Sequence, residues 1–121
     1  MSGISNYAEN KLLDTLRAQS FSVSNVYVKL HTGDPGEDGT SNAATETTRQ
    51  EVTFSAASSG SMASSATVEW TNVSTTETYT HFSLWDNVSA GNCLWKGALS
   101  SSAAVTAGDT FQITSLTLTL D

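Results

Sequence analysis

The sequence predicts a mainly β protein: a single antiparallel β-sandwich or jelly-roll-like domain with one N-terminal α-helix. Its 121 residues include 19 Ser and 18 Thr but only 14% charged residues, against ~25% in an ordinary soluble domain. Small hydroxyl side chains suit strands and turns better than long helices. After residue 20, apolar and polar residues alternate in about seven short runs at near-even spacing, which is typical of a sandwich or barrel.

The one helical pattern lies at the N-terminus. Asn6 is the expected N-cap, and Glu9, three residues later, completes a capping box. Apolar side chains then recur at four-residue steps and fall on one helix face: Ala8, Leu12 and Leu16, with Leu13 beside them. We therefore expect residues 1–20 to form a helix that docks through Leu12, Leu13 and Leu16, and residues 21–121 to form the β-sandwich of the same single domain.

Strands are predicted where the apolar period changes to two. The first runs from Val26 to Leu30 and ends at the glycine- and proline-rich segment Gly33–Gly39, which begins an acidic surface loop reaching to about residue 48. Further strands are expected near residues 52–54, 66–70, 79–85, 93–99, 111–113 and 116–120. The inward-facing side chains form the predicted core: Val28, Leu30, Val52, Phe54, Val68, Trp70, Phe82, Leu84, Phe111, Ile113, Leu116 and Leu118.

The strand at residues 79–85 differs from the others because both of its faces carry large side chains. Phe82 and Leu84 satisfy the core from one face, which leaves Tyr79, His81 and Trp85 on the other. Such a strand is either central in a covered sheet or packed against another chain, and large aromatic patches on monomers are usually functional. We expect Tyr79, His81 and Trp85 to lie at a homo-oligomer interface; the alternative is that the N-terminal helix covers them.

Charge and composition exclude several classes of protein. The net charge of −7 argues against nucleic acid and against an anionic membrane surface as partners. No apolar run approaches the ~20 residues of a membrane-spanning helix, and the N-terminus lacks the order of a signal peptide. A single cysteine, Cys93, cannot build a disulfide framework or a multi-cysteine metal site.

Few residues of the sequence are suited to catalysis. His31 and His81 are the only histidines, and no G-x-S-x-G elbow accompanies them. A histidine on a strand is more often structural than catalytic, and Cys93 in a strand is typical of a small buried apolar residue. The prediction is a non-enzymatic protein without a cofactor.

Two binding sites stay open at this level. Asp34, Glu37 and Asp38 could supply oxygens to calcium, although their spacing departs from the EF-hand pattern and favours a solvated turn. Exposed tryptophans stack on sugar rings, but all three tryptophans of the sequence fall in strands, which favours core or interface positions: Trp70, Trp85 and Trp95.

The sequence resembles a family of small tailed-bacteriophage virion proteins of the tail-fibre or minor structural type. The resemblance runs nearly end to end, and it is strongest in Thr80–Asp86 and Leu94–Leu99. Its other parts are Asn6–Asp14, Val26–Val28, Leu30–Pro35, Arg49–Ser55, Gly108–Phe111 and Leu116–Asp121.

This resemblance implies a structural protein of the virion surface, either a head-decoration (capsid cement) protein or a tail-fibre component, assembled in the bacterial host cytoplasm. It also implies self-association, most simply as a homotrimer, and docking on other virion proteins. The alternative from a different class is a carbohydrate-binding β-sandwich module that recognises a host glycan. A small esterase is a third hypothesis, which requires His31 or His81 to act as a base.

Overall fold

The computed structural model describes residues 3–120 of the chain. In these residues a short strand is followed by one helix and then by eight further strands. Met1, Ser2 and Asp121 lie outside the described residues, so the predicted boundaries 1–20 and 21–121 stay predictions. The elements are β1 (Gly3–Ile4), α1 (Asn6–Thr15), β2 (Val26–His31), β3 (Gln50–Val52), β4 (Ser61–Ala63), β5 (Val68–Trp70), β6 (Glu77–Trp85), β7 (Cys93–Val105), β8 (Phe111–Ile113) and β9 (Thr117–Thr119). The predicted fold class, mainly β with one N-terminal helix, is confirmed.

Helix α1 begins one residue earlier than the capping pattern predicts. The N-cap is Ser5, whose Oγ accepts a hydrogen bond from the Ala8 amide at 3.1 Å, so Asn6 is already helical. The Ser5 hydroxyl also donates to the Cys93 carbonyl. This second bond favours Ser5 as the cap, because it ties the start of the helix to β7. Within the described residues, no helix is long and apolar enough to cross a membrane.

The main sheet has five antiparallel strands in the order β1-β7-β6-β2-β3. Its central strand β6 pairs with β2 so that Phe82 faces Leu30 and Leu84 faces Val28. These four side chains lie on one face of the sheet and are buried. Two smaller sheets, β4-β9 and β5-β8, contribute Val68, Trp70, Ile113 and Leu118 to the same core.

The predicted core agrees with the observed one, except that Phe54 and Phe111 are only half-buried. Tyr79, however, is wrongly predicted to face outward: it is fully buried, with its ring centroid 5.1 Å from that of Phe111. The cause is a bulge between Tyr79 and His81, where the pairing partner on β7 jumps from Ala103 to Ala98. The regular alternation of β6 is interrupted at this irregularity, and Tyr79 lies in the same core cluster as Phe82.

Candidate functional site

The outer face of the main sheet, where the sequence predicts an interface, is covered by the loop that follows β2. Gly39 of this loop is buried against the sheet: a Cβ added there would lie 2.6 Å from Cys93 Sγ and 2.9 Å from Trp85 Cζ2. Pro35 is also buried, and Trp85 is 7% exposed. The exposed aromatic patch expected at Tyr79, His81 and Trp85 is therefore absent from this face, and the cover is neither the helix nor a second copy.

A chain of buried hydrogen bonds joins this loop to the sheet. His31 Nδ1 donates to the Ser41 carbonyl at 2.9 Å, and its Nε2 accepts from Ser83 Oγ at 2.7 Å. Ser83 Oγ in turn accepts from Trp85 Nε1 at 2.7 Å. Burial lowers the pKa of His31, which favours the neutral imidazole, and the Ser41 carbonyl places its one ring proton on Nδ1. His31 and Ser83 are 0% exposed, so this Ser–His pair is closed to a substrate.

The acidic residues of the loop are held by a lysine of the sheet. Lys96 on β7 is 6% exposed, and its Nζ lies 3.1 Å from Asp34 Oδ1 and 3.5 Å from Glu37 Oε1. The Gly36 amide and then Lys96 hold the pKa of Asp34 well below its usual range. Asp38 instead bonds to the amide and hydroxyl of Thr40.

The acidic residues of the loop therefore hold it against the sheet through Lys96. Ion pairing with Lys96 occupies two of the three carboxylates that the calcium hypothesis requires. Within residues 3–120, His, Cys, Asp and Glu side chains form no group of three or more that could hold a metal ion. Calcium binding remains an untested alternative, and its measurement is described in the Discussion.

The two other candidate catalytic residues, His81 and Cys93, are at least half-buried. His81 is half-buried, with Nδ1 2.8 Å from Thr80 Oγ1. Cys93 is buried, and burial raises the pKa of its thiol to about 11, which is the opposite of what a reactive thiolate needs.

Two of the three tryptophans are buried, and the third lines an apolar groove. Trp70 is 1% exposed and donates from Nε1 to the Thr48 carbonyl at 2.8 Å. The Arg49 guanidinium lies 4.2 Å from the Trp85 ring centroid, and Trp95 is half-buried in an apolar groove. Glycan binding stays a prediction.

That apolar groove is an open surface feature of the described residues. It has a volume of about 370 Å³ and lies between α1 and residues of β2, β4, β7 and β9. Hereafter "the groove" denotes the surface formed by Ile4, Ala8, Leu12, Phe21, Val23, Val26, Phe54, Ala57, Gly60, Ser61, Met62, Leu84, Leu94, Trp95, Leu118 and Leu120. Its lining contains no charged side chain, and Ser61 is its only hydroxyl residue.

The helix lines this groove without filling it. Ala8 is buried and Leu12 is 37% exposed at its wall, whereas Leu13 and Leu16 are 64% and 85% exposed. The expectation that all three leucines dock the helix on its own domain is wrong, since only Leu12 reaches the wall. Leu13 and Leu16, here called the leucine ridge, are exposed and lie outside the groove lining.

Sequence reasoning missed the residues that build both surfaces. Lys96 and Ser83 sit within apolar strand patterns. Nothing local marks Lys96 as the partner of Asp34, 62 residues earlier, or Ser83 as the partner of His31, 52 residues earlier. Val23 and Leu120, 37% and 47% exposed at the groove, stand at the two ends of the β region. The only local signal was that the short helix carries three leucines, Leu12, Leu13 and Leu16.

Together these features define a β domain in which the loop after β2 covers the outer face of the main sheet and an apolar groove lies beside α1. Residues 3–121 match the family model described as podophage GP4 fiber I protein gp80, and the chain belongs to this family. It is thus a phage fibre structural protein, located in the virion, as the resemblance implied. No curated protein matches the sequence.

Proposed function

We propose that this chain is a non-enzymatic component of a fibre on the phage particle and that it is held there by its apolar face, the groove together with the leucine ridge. The family places it among fibre proteins, and a fibre subunit must contact other virion proteins. The observation that carries the proposal is the exposure of two large apolar side chains, Leu13 and Leu16, on the helix.

The physical support is the contrast between the two faces. The outer face of the sheet is sealed by its own loop, and Lys29, Arg49 and Lys96 are engaged there with Trp85 or with loop carboxylates. The groove face exposes aliphatic side chains to water, and contiguous exposed apolar surface of this kind marks protein interaction sites. Aliphatic surface of this kind fits the tightly packed, water-excluding centre of a protein interface.

This proposal relocates the predicted interface. The sequence analysis put it at Tyr79, His81 and Trp85, of which Tyr79 and Trp85 are buried within the chain. The proposed contact lies instead at α1, the element that the sequence analysis named as a docking helix through Leu12, Leu13 and Leu16. A fibre position is favoured over head decoration by the family description, and three copies remain the expected number.

The experiment places variants in the phage genome and measures the protein in purified particles by quantitative mass spectrometry. The double variant Leu13→Ser, Leu16→Ser removes the leucine ridge while leaving the groove intact. Val88→Ser is the matched control, because Val88 is also an exposed apolar residue, 55% exposed in the β6–β7 loop. We expect wild type and control in virions and loss of the double variant. Equal incorporation of all three would overturn the proposal.

A further inference from the structure

We infer that the loop over the outer face of the main sheet is an acid-sensitive lid: protonation of His31 opens residues 33–42, hereafter the lid, and uncovers Trp85 and Cys93 beneath it. Gly39 of the lid packs directly on the Trp85 ring and the Cys93 thiol. Opening therefore exposes the face on which the sequence predicts an aromatic interface. None of these residues lines the groove, so the inference is independent of the proposed function.

The lid is organised by hydrogen bonds among its own residues. The Ser41 amide donates to the Pro35 carbonyl at 2.9 Å, and the Asn42 side-chain amide donates to the Asp34 carbonyl at 2.9 Å. At the base of the lid, the Thr32 amide donates to the Asn42 carbonyl at 2.9 Å. Because these bonds join residues that move together, the lid can swing about its base as a unit.

The polar attachments of the lid to the rest of the described chain differ in their access to water. Asp34 and Glu37 pair with Lys96, and the Glu37 carbonyl accepts from the Asn6 amide at 3.4 Å. The two carboxylate side chains are 45% and 50% exposed, so water can solvate them once the lid moves. A further attachment is the hydrogen bond from His31, which is fully buried.

A second ring proton on His31 does not fit under the closed lid. Ser83 Oγ donates its one proton to His31 Nε2 and accepts from Trp85 Nε1. A proton on Nε2 would displace this donor, and the hydrogen bonds of residues 3–120 give the Ser83 hydroxyl no other acceptor. His31 and Ser83 are both 0% exposed, so water reaches neither group, and a buried charge without compensation is costly.

The charged groups that face His31 also disfavour the second proton. Burial, followed by repulsion from Lys29 on β2 and from His81 directly opposite on β6, lowers the pKa of His31, and the bond to the Ser41 carbonyl offsets only part of this effect. The carboxylates of the lid pair instead with Lys96 on β7. Below the ordinary histidine pKa of ~6.5, the open lid therefore binds a proton that the closed lid excludes, and acid favours opening.

The test uses Cys93 as a reporter, because it is the single thiol of the chain and is buried under the lid. The full chain reacts with dithiodipyridine from about pH 5 to about pH 7.5. The rate, divided by that of the urea-unfolded chain at the same pH, gives the opening constant. For wild type this constant should rise about tenfold per pH unit below ~6.5. His31→Gln should abolish the rise, and the matched control His81→Gln should keep it.

Circular dichroism at the same pH values separates opening of the lid from global unfolding. Labelling of Cys93 that only follows global unfolding would overturn the inference, as would a rise that persists in His31→Gln or disappears in His81→Gln. If His31→Gln does not fold, a titration of the His31 ring in wild type by nuclear magnetic resonance decides. Its pKa should lie below that of the urea-unfolded chain, and an equal value would overturn the inference.

Discussion

Replacing Tyr79 by Phe should make this protein more stable, although Tyr79 is fully buried. The Tyr79 ring packs against Phe111 with 5.1 Å between centroids, and Phe keeps that contact. The Tyr79 hydroxyl is buried and has no hydrogen-bond partner among the described residues. The substitution therefore removes an unsatisfied polar group and leaves the core packing in place.

The size of the effect follows from the cost of burying a hydroxyl without a partner. That cost is ~1–3 kcal/mol in proteins, so the gain in the free energy of unfolding should be about 1–2 kcal/mol after the small void left by the oxygen is deducted. In a domain of this size the melting temperature rises by roughly 3–6 °C for each kcal/mol. Tyr79→Ala, which also removes the ring, should lose about 3–5 kcal/mol.

Urea and thermal unfolding, followed by circular dichroism and tryptophan fluorescence at one protein concentration, measure both variants. A spectroscopic pH titration of wild type provides an independent check, because burial raises the pKa of Tyr79 to about 12. A Tyr79→Phe variant that is less stable than wild type would refute the reasoning, since it would mean that the hydroxyl makes a stabilising hydrogen bond.

Three further predictions concern the core and the loop. Phe82→Ala should cost ~3–5 kcal/mol of unfolding free energy, and a variant that melts like wild type would show that the inward face of β6 is misassigned. Added calcium should leave the melting temperature unchanged because Asp34 and Glu37 pair with Lys96, whereas a chelating loop would gain ~2.7 kcal/mol at 100 times the dissociation constant. The native pKa of His31 is lowered by burial, so below the unfolded value of ~6.5 the unfolded state binds the extra proton and stability falls as the pH drops, by at most ~1.4 kcal/mol per pH unit. His31→Gln should flatten that slope between neutral pH and the range where carboxylates titrate, and an unchanged slope would assign it to other groups.

The covalent geometry of strands explains why so much of the core is predictable. Side chains alternate between the two faces of a strand, so the spacing of Val28, Leu30, Phe82 and Leu84 determines that they share a face. The low charge and high hydroxyl content likewise favour strands over helices. The single helix is predictable because four-residue apolar spacing is a local signal, although its cap depends on a distant contact of Ser5.

The outward orientation predicted for Tyr79 is wrong, and no local sequence pattern could have shown this. Alternation puts Tyr79 opposite Phe82, but the bulge beside it depends on how β7 pairs, where Ala103 and Ala98 are successive partners of Tyr79 and His81. Strand pairing is a relation between segments that are distant in the chain. The face of Tyr79 is thus decided by β7.

The sequence by itself determined the fold class, most of the inward-facing side chains and, through motifs spread along the chain, the family. Only the tertiary structure decided which surfaces are closed and which are open. The loop after β2 covers the outer face because Lys96, 62 residues away, attracts Asp34, and because Gly39 fits closely against Cys93 and Trp85. The groove is open because Ser5 and Ala8 fix the helix beside it. Periodicity reports which way a side chain points from its own element, whereas burial depends on what the rest of the chain places in front of it.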